Sequence, residues 1–249
     1  RTPTLVEGLT DVRHLAVGLF AVCAVRGDGS VWCWGSSTLP ERRNDLTRPQ
    51  PMTSLRDVAW MRASWAGWLI RHRDGRYSGD GYQFPLPPAN AEATPGGAFN
   101  FHTCYVLPDQ SVRCVGVNPS GQLGDPSAPL DFAGDRVVNP GLCGVRSVQT
   151  DRSGSCAVGL RGELWCWGAT GFNGAGLYES FTGFFDAASL DTCATTGGSP
   201  GRCARRPRRV AGIDRVTEVF MGTNGHWVMR DDHSVWRWDL ERGFARFRW

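Results

Sequence analysis

The 249-residue sequence contains no lysine: all 27 basic residues are arginine, which reads as a compositional bias rather than a functional device. With 24 acidic residues the formal net charge is only +3. A balance so close to neutral sets up no strong field for a nucleic-acid backbone or an anionic membrane. No apolar run reaches the ~18 residues of a membrane-spanning helix. A charged-then-apolar leader is also missing at the first residues, as expected of a processed mature chain or a cytosolic one. H-E-x-x-H, G-x-S-x-G and phosphate-loop motifs are absent, so the common hydrolase and nucleotide signatures are excluded. No long stretch has helical periodicity. What is abundant is glycine (32) and proline (15), the composition of short strands joined by many turns.

An internal repeat organises those strands. Cys23-Ala-Val-Arg-Gly-Asp-Gly-Ser-Val-Trp-Cys-Trp-Gly35 returns at 104–116 and 156–168, with weaker copies at 69–81 and 227–239. Each copy is a strand, a turn around Asp-Gly or a similar pair, and a second strand. A lead-in precedes the hairpins as Leu9-Thr-Asp-Val12, Leu55-Arg-Asp-Val58, Leu142-Cys-Gly-Val145 and Ile213-Asp-Arg-Val216. In the third copy it is degenerate, near Ala93. Pro-x-x-apolar stands ahead of three lead-ins, at Pro3–Val6, Pro49–Met52 and Pro207–Val210. These units predict an all-β chain, a β-propeller of short four-stranded blades in one domain spanning 1–249. The repeats run approximately 9–52, 53–95, 96–140, 141–210 and 211–249. Residues 1–8 are expected to close the last blade with an N-terminal strand, protecting the sheet edges.

The pattern V-x-x-G-x-x-x-x-C-A-V-x-x-D-G-x-V-x-C-W-G resembles the regulator of chromosome condensation repeat. Gly116-Val-Asn118-Pro-Ser-Gly121-Gln122-Leu123-Gly124-Asp125 is similar to that family's G-x-N-x-x-G-Q-L-G signature, and His102-Thr-Cys104 to another part of it. The resemblance implies a propeller, generally of seven blades, where five units are found here. The family's nucleotide exchange on a small GTPase and its chromatin binding are not carried over. They depend on loops that have no residue-by-residue match in this sequence.

Nine cysteines are present, and their pattern across the repeats assigns them. The two hairpin positions hold Cys23/Cys33, Leu69/Gly79, Cys104/Cys114, Cys156/Cys166 and Trp227/Arg237. Cysteine occupies both positions or neither, which independent thiols have no reason to do. Across a tight hairpin these positions face each other at the ~4 Å between Cβ atoms that a disulfide needs. Zinc and redox roles lack C-x-x-C spacing and partner histidines. Cys193 and Cys203 are expected to bridge within a loop that has no flanking strands, and Cys143 to be a buried free thiol in a lead-in strand, with an intermolecular link as the alternative. Four bridges predict an oxidising location, secreted or periplasmic.

Catalytic chemistry is not evident. The five histidines are His14, His72, His102, His226 and His233. His72 and His233 fall in hairpin turns, and His102 has a structural place in the repeat. Asp231-Asp232 reads as a solvated turn. Unit length diverges instead in the loops 36–48, 82–92, 117–135 and 169–206. All follow the same strand of their blades and so emerge on one face, the usual place for recognition. The longest, an insertion at 169–206, holds Phe172, Tyr178, Phe181, Phe184 and Phe185. Those rings either pack down on the scaffold or anchor a partner. Arg205 and Arg206 lie in the one basic cluster, with Arg42 and Arg43 on the first loop. The expected function is a non-enzymatic, monomeric module that engages a protein through this face, without cofactor, metal, nucleic acid or membrane span. Secreted β-lactamase inhibitory proteins of the resembled family are a precedent. A glycan-binding propeller with Trp and Tyr stacking on sugars is the alternative, and an enzyme with a central-channel site comes third.

Overall fold

A computed structural model describes residues 4–18, 20–35, 40, 46–64, 67–82, 84–93, 102–130, 136–151, 153–169, 190–194, 200–222, 225–239 and 243–247. The chain divides into two compact units, Arg1–Ala89 and Asn90–Trp249. Nineteen strands form five small antiparallel sheets among the described residues, the blades of a β-propeller. No helix among these residues is long and apolar enough to cross a membrane.

Sheet 1 takes β1 (Val12–Val17), β2 (Ala21–Arg26), β3 (Val31–Gly35) and β4 (Leu46–Pro51) in sequence order. Sheet 2 takes β5 (Val58–Ser64), β6 (Gly67–His72) and β7 (Tyr77–Asp80). In the second unit, sheet 3 holds β8 (Glu92–Ala93), β9 (His102–Val106) and β10 (Val112–Gly116). Sheet 4 runs β11-β12-β13-β15-β14, with β11 (Val145–Thr150), β12 (Gly154–Gly159), β13 (Leu164–Ala169), β14 (Asp191–Ala194) and β15 (Pro200–Arg209). Sheet 5 takes β16 (Val216–Gly222), β17 (Gly225–Arg230), β18 (Val235–Asp239) and β19 (Gly243–Arg246).

Strand number therefore departs from a uniform four. The segment after β7 contains Pro85, Pro87 and Pro88, which have no amide to donate to a ladder, and sheet 2 has three strands among the described residues. In sheet 3 the outer strand shrinks to a single bridge, with Cys114 and Val138 exchanging bonds of 2.9 and 2.7 Å. Sheet 4 gains β14. The expected closure of the last blade by Pro3–Val6 is corrected. Sheet 5 draws its fourth strand from Gly243–Arg246, where Trp238 meets Phe244 edge to face at 5.3 Å, and residues 4–6 belong to no strand.

The hairpin turns form for a local reason. Asp28 Oδ1 accepts from the Ser30 amide at 2.9 Å and from its hydroxyl at 2.6 Å; Asp109–Ser111 and Asp232–Ser234 repeat the pattern, and Asp74 binds Arg76 likewise. These bonds hold all four carboxyls below the usual aspartate range. The following residue is left-handed in each, at Gly29, Gly75, Gln110 and His233. A second left-handed residue ends each lead-in, at Asp11, Asp57, Gly144 and Arg215. Its carbonyl accepts an amide from its own hairpin turn: Gly27, Arg73, Leu160 and Asp231 donate at 2.8–3.0 Å.

Neighbouring sheets within a unit join by one recurrent arrangement. The turn carbonyl of one blade accepts the first strand amide of the next: Val58 to Gly29 (3.1 Å), Val145 to Gln110 (3.1 Å) and Val216 to Gly162 (3.0 Å). Beneath each bond lies a core made of one hairpin and two apolar residues of the next lead-in strand. Val58 and Met61 pack with the first hairpin, Val145 and Val148 with the third, Val216 and Val219 with the fourth. His14 Nε2–H adds a bond to the Met61 carbonyl at 2.8 Å.

Each hairpin disulfide sits inside one of these cores. Cys23–Cys33, Cys104–Cys114 and Cys156–Cys166 occupy directly opposed register positions, all with Cα atoms 4.1 Å apart. Cys193–Cys203 also forms, but in strands and not in a loop: Cys193 lies on β14 opposite Gly201, and Cys203 on β15 opposite Asp191. Cys143 is exposed and precedes β11, not buried in it, because the lead-in turns outward at the left-handed Gly144. Where cysteines are lacking, other pairs fill the site. The Arg237 guanidinium lies 5.8 Å from the Trp227 ring centroid. Gly79 backs onto Tyr82, leaving no room for a Cβ. Trp227→Cys with Arg237→Cys is therefore expected to close a fourth hairpin bridge and raise stability by ~2–3 kcal/mol, checked by thiol titration and thermal melting with and without reductant.

Candidate functional site

In an antiparallel blade, the turn between strands 1 and 2 and the loop after strand 3 leave from the same end. In the second unit this end is built around the loop 117–130, which is locked from within. Asn118 Oδ1 accepts the Leu123 amide at 3.0 Å, its Nδ2 donates to the Pro129 carbonyl at 2.7 Å, and Gln122 Oε1 accepts the Ser120 amide at 2.9 Å. Leu123 and Ala128 are buried in the core beside Trp167. Gly124 (φ +77°) lies so close to Trp167 and Pro140 that a Cβ would stand 2.7 Å from the indole nitrogen. The signature stretch 116–124 thus specifies a rigid loop.

A buried polar chain ties this loop to sheets 3 and 4. Trp167 Nε1–H and Ser155 Oγ–H both donate to the Gln122 carbonyl, at 2.8 and 3.0 Å. Ser155 has then spent its proton, so at 2.8 Å it accepts from His102 Nε2–H, and His102 is the neutral Nε2–H tautomer. Burial pushes the imidazole down to about 3, against the opposing pull of the Gly154 backbone. Nearby, Asp151 folds its own turn by accepting the Ser153 and Gly154 amides at 3.0 and 2.8 Å. Burial raises its carboxyl above the usual range, while the charge of His226 and those two amides oppose the rise.

The long insertion leaves sheet 4 after β13 and returns through the β14/β15 ribbon, stapled by Cys193–Cys203. Arg205 lies on β15. Its Nη2 donates to the Pro126 and Ala128 carbonyls at 2.5 and 3.0 Å, bracing the ribbon against the 117–130 loop, and its amide donates to Asp191 at 3.2 Å. Arg206, the next residue, is exposed, as is Arg209. Both expected contact arginines of the insertion are therefore on a strand, one committed to bracing and one facing solvent. Arg42, Arg43, Phe172, Tyr178, Phe181, Phe184 and Phe185 lie outside the described residues. The polar chain through His102, Ser155 and Gln122 was not foreseeable as a unit. Its members are 33 and 53 residues apart, and only the fold brings them together. Among the described residues no cluster of three or more His, Cys, Asp or Glu side chains is placed to hold a metal ion.

Comparison with known proteins agrees with this architecture. The family model for the regulator of chromosome condensation (RCC1) repeat matches residues 12–39. A search of curated proteins finds no match. Among solved structures, Prp20p from Saccharomyces cerevisiae, a protein with binding properties toward Gsp1p and histones, superposes with a TM-score of 0.69 at 15% identity, covering 91% of this chain and 57% of that one. Human WBSCR16 gives 0.62 at 17% identity, over 91% and 61% of the two chains. Yeast RCC1 (Prp20) bound to Kap60 gives 0.51 at 16%, over 91% and 69%. The chain thus spans 57% and 61% of the first two relatives' lengths, and at these identities the likeness is one of fold. Sheet topology and superposition agree that this chain is a β-propeller, and its residues 12–39 are similar to the regulator of chromosome condensation repeat.

Proposed function

We propose that the chain is a non-enzymatic protein-binding propeller that works in an oxidising compartment, secreted or periplasmic, through the loop end of its blades. The observation that carries this reading is the β14/β15 ribbon. β15 pairs with Ala169 on one side and Asp191 on the other, the two ends of the aromatic-rich segment, and the Cys193–Cys203 bridge and the Arg205 brace fix that ribbon against a locked neighbouring loop. Pre-ordering a loop base in this way lowers the entropy lost on binding, and the rings of Tyr178, Phe181, Phe184 and Phe185 are of the type that anchors interfaces. Four disulfides support the compartment. Protein partners are known for this fold, since Prp20p has binding properties toward Gsp1p and histones. Partner identity does not transfer at 15% sequence identity.

Replacing Tyr178, Phe181, Phe184 and Phe185 together by Ser is expected to leave the melting temperature and far-ultraviolet spectrum unchanged. The same change should abolish binding to a partner identified by cross-linking and mass spectrometry. Unfolding of that variant would make the rings part of the core and sink the proposal, and strong glycan-array binding lost in the variant would replace the protein partner with a sugar.

A further inference from the structure

We propose that Cys193–Cys203 is a redox latch: a dithiol reductant opens it ahead of the three hairpin bridges, which releases β14 from sheet 4 and loosens the base of the insertion while the propeller persists. Two contrasts with the hairpin bridges carry the assignment. The first is position in the sheet. Cys156 and Cys166 sit on β12 and β13, which have strands on both outer sides, and Cys23 and Cys33 on β2 and β3 are enclosed in the same way. β10, which holds Cys114, is backed by the Val138 bridge. Cys193 instead lies on β14, the terminal strand of sheet 4, with four residues and only β15 to pair with among the described strands. The second contrast is packing. The hairpin cysteines belong to cores that join neighbouring sheets. Cys193 and Cys203 form a small cluster of their own, with Leu130 packed against it.

All eight bridged cysteines are buried, so a reductant reaches their sulfurs only through an opening of the fold. Opening β14 breaks one four-residue ladder, whereas exposing a hairpin bridge means parting the core between two sheets. The smaller opening costs less and occurs more often, and a short two-stranded ribbon has little stability of its own. On the opened strand a reductant thiolate attacks Cys193 Sγ, the S–S bond breaks, and Cys203 leaves as a thiolate that takes up a proton. The second thiol of the reductant then displaces the mixed disulfide, freeing Cys193 and closing the reductant's own disulfide. Two electrons and two protons pass from the dithiol to the bridge. The release is bounded on both sides. Leu190, in the core that contains Trp167, anchors the chain just before β14. β15 stays paired to β13 and braced by Arg205. Asp191, which accepts the Arg205 amide at 3.2 Å, leaves with β14. Loss of that anchor returns ordering cost to partner binding. This consequence rests on the proposed function; the order of reduction does not.

The test titrates the full chain with limiting dithiothreitol near neutral pH, quenches with iodoacetamide and reads each cysteine by peptide mass spectrometry. Cys143, exposed and unbridged, labels without reductant and serves as the reference. Cys193 and Cys203 are expected to label at least ~10-fold faster than any hairpin cysteine, with the far-ultraviolet spectrum retained. Amides of 191–194 should then exchange hydrogen at least ~10-fold faster, and those of 154–159 at an unchanged rate. Cys193→Ser with Cys203→Ser should reproduce that exchange pattern with the three hairpin bridges still formed. Hairpin bridges reduced before or together with Cys193–Cys203, or β14 amides that stay protected after its reduction, would overturn the proposal. Partner affinity unchanged by selective reduction, where the aromatic replacements abolish it, would overturn it as well. Selective reduction and β14 release in a chain that binds no protein would support the latch and sink the function reading alone.

Discussion

Reduction of the disulfides is expected to take the second unit close to unfolding at ambient temperature. Cys104–Cys114 and Cys156–Cys166 each close a sequence separation of 10 residues, worth ~3 kcal/mol apiece by chain entropy. Their sum of ~6 kcal/mol is comparable with the ~5–15 kcal/mol that stabilises an ordinary domain. Position adds to the effect, because these sulfurs lie in the cores between sheets 3, 4 and 5 rather than at the surface. The ribbon bridge Cys193–Cys203 adds a third loss of similar size to the second unit, so the first unit, with the one bridge Cys23–Cys33, should lose about a third as much. The topology itself should survive in each blade, since sheets 2 and 5 build the same hairpin with Leu69/Gly79 and Trp227/Arg237. Thermal melts with and without reductant measure the effect, and replacing each Cys pair by Ala apportions it. A melting curve indifferent to reductant, with thiols that titrate as free before treatment, would remove both the staples and the argument for an oxidising compartment.

Acid should weaken the second unit through His102. The fold holds this imidazole at about 3, while an unfolded histidine titrates near 6.5. Between those values the unfolded chain binds the extra proton, so stability is retained above pH 6.5 and falls as the pH drops toward 3. The full loss is ~5 kcal/mol. Asp151 acts in the opposite direction: its raised carboxyl takes up a proton earlier in the folded state and offsets part of the loss. The contribution of His102 is therefore read as a difference. His102→Gln retains an amide N–H that can reach Ser155 Oγ and has no proton to gain. Denaturant unfolding of both proteins from pH 7 to pH 3.5 should show curves that diverge as the pH falls. Parallel curves would mean that the imidazole is charged in the folded state or that it does not titrate in this window.

Much of the scaffold was legible because its signals are local. Asp-x-Ser turns, paired cysteines and repeated lead-ins located hairpins that the structure confirms residue by residue, including the opposition of Cys23 to Cys33. Signals weakened where pairing is not encoded by alternation. Cys193-Ala-Thr-Thr-Gly-Gly reads as loop, yet β14 forms because β15 offers it an edge extending ten residues from Pro200. Gly243-Phe-Ala-Arg246 is too short to announce a strand, and becomes one because Trp238 presents a ring for Phe244. The prolines after β7 did carry information, since they have no amide to give to a ladder and sheet 2 has three strands among the described residues. At the candidate site, the arginine pair was found by composition. Division of labour between Arg205 and Arg206 depends on which face of β15 meets the 117–130 loop, and no single segment specifies that.

The join between adjacent blades uses a backbone carbonyl and a backbone amide, at Gly29–Val58, Gln110–Val145 and Gly162–Val216. The acceptor is a glycine twice and a glutamine once, so the join does not depend on the identity of that side chain. Of each unit the join demands a left-handed corner, and the core beneath it two apolar residues of the lead-in strand. Gene duplication can therefore insert or delete a unit by unequal crossover without compensating substitutions in the units on either side. Loop inventories can then diversify while the frame that presents them keeps its geometry.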